Sequence, residues 1–145
     1  LSGAIGLEQL KKVDHFVKVR RENAALWVSL FKNDERFIIQ KENGTSSWFS
    51  FALILNPAME FDRKKILGAL KKNNIQYRII TGGNFLRHDV IKYCNHDIVG
   101  EIINANIAHD FGFFVGNHPK DIKKEIQHFH EVIDRVAIPS YSSKY

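Results

Sequence analysis

With a single cysteine, Cys94, among 145 residues, the chain can form no internal disulfide. That excludes the disulfide-stapled class of small domains and fits a reducing compartment such as the cytoplasm. Proline is scarce, at three residues, and no low-complexity tract or internal repeat divides the chain, so residues 1–145 read as one domain. No apolar run exceeds five residues, as in Phe51 to Leu55, against the roughly 20 that a membrane helix needs. An initiator Met is missing, and Leu1-Ser2-Gly3-Ala4 has neither the basic nor the apolar region of a signal peptide. The expectation is a soluble piece processed, cloned or cut from something longer.

The residues that are present argue for a packed globule. The hydrophobic fraction is 44%, with eleven Phe, enough to build a core and too much for disorder. The net charge of +5 is carried in dispersed doublets such as Lys11-Lys12, Arg20-Arg21 and Lys71-Lys72, most beside acidic residues. Solvated helix faces account for such doublets, and no aromatic-basic nucleic-acid signature accompanies them. The reading is therefore no nucleic acid and no membrane partner.

Apolar spacing of three and four predicts one long helix over residues 7 to 31, through Leu7, Leu10, Val13, Phe16, Val17, Ala24, Trp27, Val28 and Phe31. Phe37 to Ile39 reads as a short strand, and Ser47 to Leu55 as a central one apolar on both faces. Asp62 caps a predicted helix that runs to Asn73, with Ile66, Ala69 and Leu70 inward and a left-handed exit at Asn73-Asn74. A strand comes next over Ile75 to Ile80, then short helices near Leu86 to Tyr93 and Asn104 to His109. Gly112 to Val115 reads as a third core strand. A last helix carries Ile122, Ile126, Phe129, Ile133 and Val136, and the tail after Pro139 reads as frayed. The fold class is α/β in the α+β sense: a small mixed sheet of three to four strands covered by helices.

The chemistry is sparse. His128 and His130 are two apart on a helix and point to different sides, while His88, Cys94 and His96 match no zinc spacing, so no metal site is expected. No nucleophile with an adjacent base can be read, and no acidic pair, so no catalytic residue is assigned. Gly82-Gly83-Asn84 and Gly116-Asn117-His118 each end a strand in a turn that can offer backbone N–H groups to an anion, or simply cap the next helix. In the functional reading His118 shares a cleft with the Gly-Gly-Asn turn. Arg78 is either an anion partner or a surface residue of an edge strand, and Trp48 is either core or a flat wall for a ring.

Four segments, taken in order, resemble one family. Gly3-Ala4-Ile5-Gly6-Leu7-Glu8-Gln9-Leu10 with Asp14 and Arg20-Arg21-Glu22-Asn23-Ala24 is similar to the helix that opens the smaller, C-terminal lobe of DegT/StrS-type enzymes. These are pyridoxal-phosphate-dependent sugar aminotransferases and dehydratases of fold type I. Ser46-Ser47-Trp48-Phe49-Ser50-Phe51, Arg78 through Asn84-Phe85, and Phe113-Phe114-Val115-Gly116-Asn117-His118 resemble later motifs of the same lobe. The Gly-Asn form at 83–84 is similar to the RfbH- and ColD-type dehydratase branch, which removes the C3 hydroxyl of nucleotide-linked 4-keto-6-deoxyhexoses for lipopolysaccharide O-antigen. Ile79, Ser50 and Asp89 depart from the usual Pro, Gly and Pro beside the site, which bears on substrate specificity.

The resemblance implies a large lobe that holds pyridoxal phosphate and the reacting groups, none of which matches a position here. It implies a homodimer in the full-length protein, a nucleotide-linked deoxysugar substrate, and Trp48, Arg78, Gly83, Asn84 and His118 as the cleft-facing, substrate-positioning set. A sugar-nucleotide aminotransferase lobe and a non-catalytic binding or dimerisation domain are the alternatives.

Overall fold

The structure, a computed structural model, describes residues 2–138; the tail after Pro139 lies outside the described residues. In chain order it comprises α1 (Ser2–Leu10), α2 (Val13–Phe31), β1 (Phe37–Ile39), β2 (Ser50–Leu55), α3 (Arg63–Lys72), β3 (Arg78–Ile79), α4 (Ile103–Phe111), β4 (Gly112–Gly116) and α5 (Lys123–Val136). Short 3-10 turns occupy Pro57–Met59, Phe85–Arg87 and Asp89–Tyr93.

The four strands lie in the order β1-β2-β4-β3, and each pairing is antiparallel. The expected α+β layering, with a sheet of three to four strands, is present with four, but the expected mixture of strand directions is not. Parallel neighbours need a crossover between adjacent strands, and here β2 and β4 run in opposite directions on either side of the intervening helices in the chain. Side chains on β2 alternate: Phe51, Leu53 and Leu55 are buried, whereas Ala52 and Ile54 are half-buried. The strand is thus covered fully on one face only, which corrects the reading of Ser47 to Leu55 as apolar and buried on both sides.

Aromatic stacking organises the covered face. The Trp27 indole of α2 lies flat on Phe51 at 4.7 Å, and Phe129 of α5 meets it at 5.1 Å. Phe31 completes the cluster at 4.4 Å from Trp27, and Ile66 and Leu70 of α3 close it beside α5. Helix α3 obeys its sequence signals closely. The Asp62 carboxylate accepts from the Lys64 and Lys65 amides at its start, and Asn74 takes the left-handed turn after it, φ 59°. Its buried stripe is Ile66, Leu67 and Leu70, with Ala69 half-buried.

The long N-terminal helix divides in two. A turn at Lys11-Lys12 separates α1 from α2, and α1 buries no residue at all. Leu7 and Leu10 are 66% and 67% exposed, so the apolar stripe expected from residue 7 serves this core only from Phe16 onward.

One ion cluster ties the α2–β1 connection to α5. Arg36 Nε donates to Asp34 at 2.9 Å, and its Nη2 reaches Asp134. Burial pushes the Asp34 carboxyl up, but the hydrogen bonds and charge of Arg36, with His130 nearby, hold it below its ordinary value. A carboxyl depressed by folding contributes stability above its unfolded-state pKa of about 4, and that contribution is lost as pH falls through the lower folded value. Asp34→Asn should therefore lower the urea midpoint at neutral pH and reduce the further loss on acidification below about pH 4. A variant with the same acid limb as the parent would show that the pair carries no linkage.

Candidate functional site

Two constellations of polar residues form, at opposite ends of β4. The first gathers at the Gly116 end. Asn117 is 3% exposed, and its Nδ2 donates to the carbonyls of Trp48 at 2.8 Å and Arg20 at 3.0 Å. Its Oδ1 accepts from Asn23 Nδ2 at 3.1 Å, and the same amide reaches the carbonyl of Lys120 at 2.8 Å. Two asparagines separated by 94 positions thus form a buried polar tie that joins α2, the entry of β2 and the turn after β4. The unpaired state of either would be costly, and that fixes their partners.

The tie holds Trp48 in an uncommon state. Its φ is 51°, in the left-handed region that bulky side chains rarely enter. Ser46 Oγ accepts from its amide at 2.9 Å, and Asn117 holds its carbonyl. The reversal sends the two neighbouring rings in opposite directions: Trp48 inward at 5% exposure, Phe49 outward at 72%. The expectation that Trp48 faces a cleft is corrected here. The aromatic that reaches solvent is Phe49, with the Arg20 guanidinium 5.5 Å from its ring. His118 lies beside them with an exposed side chain.

The second constellation sits at the Gly112 end. Gly82 and Gly83 have φ of 79° and 47°, and a Cβ on Gly83 would lie 2.6 Å from His109 Nδ1. Only glycine lets the turn press against that ring. Asn84 is buried: its amide donates to His109 Nδ1 at 3.2 Å, its Nδ2 to Asn106 at 2.8 Å, and its Oδ1 caps Leu86 at 3.0 Å. With both ends of its side chain engaged, Asn84 shapes the turn from below, which corrects its placement as cleft-facing. On the next turn His88 Nε2 bonds the Gly82 carbonyl at 2.7 Å.

Arg78 is exposed on β3, opposite Phe114 at the middle of β4, on the edge of the sheet. Its edge position is the one the sequence allowed, and no acidic partner holds it among the described residues. The five residues expected to share a cleft therefore divide: Trp48 and His118 at one end of β4, Gly83 and Asn84 at the other, and Arg78 between. Four residue steps along a strand separate the ends by roughly 13 Å. Sequence reasoning overlooked Asn23 and His109. Asn23 had a signal, a polar residue among the apolar positions of an amphipathic helix, while nothing local marked His109.

No group of three or more His, Cys, Asp or Glu residues placed to hold a metal occurs among the described residues. Among them, too, no lysine is buried, and the buried polar side chains are Asn23, Asn84 and Asn117, all engaged by protein partners. A shallow groove runs along α2, lined by Asp14, Val17, Lys18 and Arg21 among others. The described residues thus offer no buried lysine to anchor pyridoxal phosphate and no buried acid to pair with its ring nitrogen, so they do not by themselves fit the cofactor.

Comparison with known proteins supplies the context. The profile of the DegT/DnrJ/EryC1/StrS aminotransferase family matches residues 1–134. A GDP-4-keto-6-deoxy-D-mannose 3-dehydratase from Yersinia pseudotuberculosis is 39% identical over 93% of the chain and 35% of its own length. The E. coli GDP-4-keto-6-deoxy-D-mannose-3-dehydratase, solved with hydrated PLP bound, superposes with a TM-score of 0.87 at 40% identity, over 90% of the chain and 34% of its own. A variant of the same kind of enzyme with bound GDP-perosamine gives 0.88 at 40% identity, over 91% of the chain and 34% of its own. The chain spans about a third of the length of the curated relatives it matches.

Proposed function

The chain belongs to the DegT/DnrJ/EryC1/StrS aminotransferase family, and from that premise we propose that it forms the C-terminal, smaller lobe of a pyridoxal-phosphate enzyme that removes the C3 hydroxyl of a nucleotide-linked 4-keto-6-deoxyhexose. The observation that carries this reading is the similarity, 40% in sequence and 0.87 in TM-score, to a 3-dehydratase over nine-tenths of the chain. The corresponding setting is cytoplasmic supply of deoxysugars for lipopolysaccharide O-antigen, by a homodimer. Among the described residues no helix is long and apolar enough to cross a membrane.

Two features of the chain support a lobe that works against another body. Helix α1 exposes Ile5, Leu7 and Leu10, and the segment from Phe85 to Ile103 exposes the apolar side chains of Phe85, Tyr93, Ile98 and Val99. Exposed apolar patches of this kind mark surfaces that another structure covers. The cofactor would supply an electron sink when bound, held by residues outside this chain. This chain positions the substrate. Arg78 and His118 are free to contact phosphate or hydroxyl oxygens, Gly83 offers a close backbone approach, and Trp48 and Asn84 shape the two ends from beneath. Dehydration is preferred to amino transfer because both named relatives of about 40% identity are 3-dehydratases.

A chimera tests the reading: the final third of the Yersinia enzyme replaced by this chain, assayed with GDP-4-keto-6-deoxy-D-mannose. The chimera should bind pyridoxal phosphate, whereas the isolated chain should show no cofactor absorbance. Loss of the C3 hydroxyl is the expected outcome, and an amino sugar product instead would favour the aminotransferase alternative. A folded, cofactor-loaded chimera that does neither would sink the enzyme reading. Within an active chimera, Arg78→Ala should lower kcat/KM about tenfold or more, mainly through KM, because it removes a charge-assisted contact made equally in ground and transition states.

A further inference from the structure

We propose that His109 is the positioning residue of the Gly82–Gly83–Asn84 turn, which it holds through a neutral ring carrying its proton on Nε2. Three observations converge on that ring. The Asn84 amide donates to Nδ1 at 3.2 Å, so Nδ1 must present a lone pair. Gly83 packs so closely that a Cβ there would stand 2.6 Å from Nδ1 and 3.0 Å from Cγ, which leaves the ring as the wall against which the turn folds. The ring's own helix end is pinned, since Arg63 Nη1 donates to the His109 carbonyl at 2.8 Å and to the Gly112 carbonyl at 3.2 Å.

A second histidine clasps the same turn with the opposite proton demand. His88 Nε2 bonds the Gly82 carbonyl at 2.7 Å, and since a carbonyl only accepts, His88 is the donor. A donor survives protonation of its ring, and an acceptor does not. Acid therefore releases the Asn84 end of the turn while the Gly82 end stays held. The ring centroids are 5.9 Å apart, so a doubly charged pair also repels. The charged groups around His109 offer little to offset this. Arg63 of α3 reaches the His109 carbonyl, and Asp110, next to His109 on α4, is committed to Arg87 at 2.7 Å.

The turn is thus a clasp with one acid-labile end. Its bearing on substrate rests on the function proposed above, but the hydrogen bond does not, and the test uses no ligand, so the two can fail separately. Long-range proton–nitrogen correlation on the full chain, from about pH 8 to pH 5, reads both the His109 tautomer and the Asn84 amide. The expected result is a neutral His109 ring protonated at Nε2, with the Asn84 amide losing its hydrogen-bonded shift at the same midpoint as the ring titrates. In His88→Gln that response should persist. In His109→Asn, whose amide oxygen takes the place of Nδ1 and accepts but does not titrate, the Asn84 amide should stay bonded throughout. A neutral ring protonated at Nδ1, or an Asn84 amide indifferent to the His109 titration, overturns the proposal; both are read on the unmutated chain, so a misfolded variant leaves it decidable.

Discussion

Trp27→Ala should destabilise the domain by about 3–5 kcal/mol, the range for deleting a buried aromatic and leaving a cavity. The indole is 1% exposed and touches the three rings that join the layers: Phe31 on its own helix, Phe51 on β2 and Phe129 on α5. Neighbours drawn from three elements, two of them flanked by further packing, cannot all collapse into the vacated space. The indole Nε1 has no hydrogen-bond partner among the described residues although it is buried. Trp27→Phe should accordingly cost far less, under about 1.5 kcal/mol, since it removes an unsatisfied donor along with some packing. Urea unfolding of both variants checks the pair of values. Equal losses would mean that the indole N–H contributes to stability through a contact absent from this structure.

Asn117→Ala should cost about 3 kcal/mol, more than is usual for a polar substitution. The Trp48 and Arg20 carbonyls each lose a donor, and Asn23 loses one of its acceptors. The backbone at Trp48 loses the bond that holds its left-handed conformation, so the ring should leave its buried position and the near-ultraviolet dichroism should change with it. Asn117→Asp, nearly identical in shape, should be at least as damaging, because it aims a carboxylate oxygen at two carbonyls. A loss below about 1 kcal/mol in the alanine variant, with unchanged dichroism, would show that the tie does not hold Trp48.

Local signals carried those parts of the fold whose causes are local. Asp62 and Asn73-Asn74 delimit α3 because a carboxylate caps amides two and three residues on, and because asparagine tolerates a left-handed exit. The spacing of Ile126, Phe129 and Ile133 locates the buried face of α5. The same periodicity misplaced the inner face of the first helix, since Leu7 and Leu10 are apolar for something other than this core. Period alone does not say which neighbour a stripe serves.

The site was less legible for a related reason. Its motifs were recognisable in order along the chain, but their spacing in three dimensions depends on register. Pairing Ser50 with Gly116 and Ile79 with Phe113 sends the two turns to opposite ends of β4. Trp48 and Phe49 exchanged roles through a backbone reversal maintained by an asparagine 69 positions away. His109 has no local mark, and its significance comes from a glycine turn 25 positions earlier in the chain.

The contact between Trp27 and Phe129 has a consequence for synthesis. The two rings are 102 positions apart (129 minus 27), so the core has no lid until α5 has left the ribosome. At roughly 5–20 residues per second, that delay is on the order of 5–20 s. For that interval the nascent chain displays Trp27, Phe31 and Phe51 as an adhesive surface, which makes it a client for whatever chaperones wait at the exit tunnel.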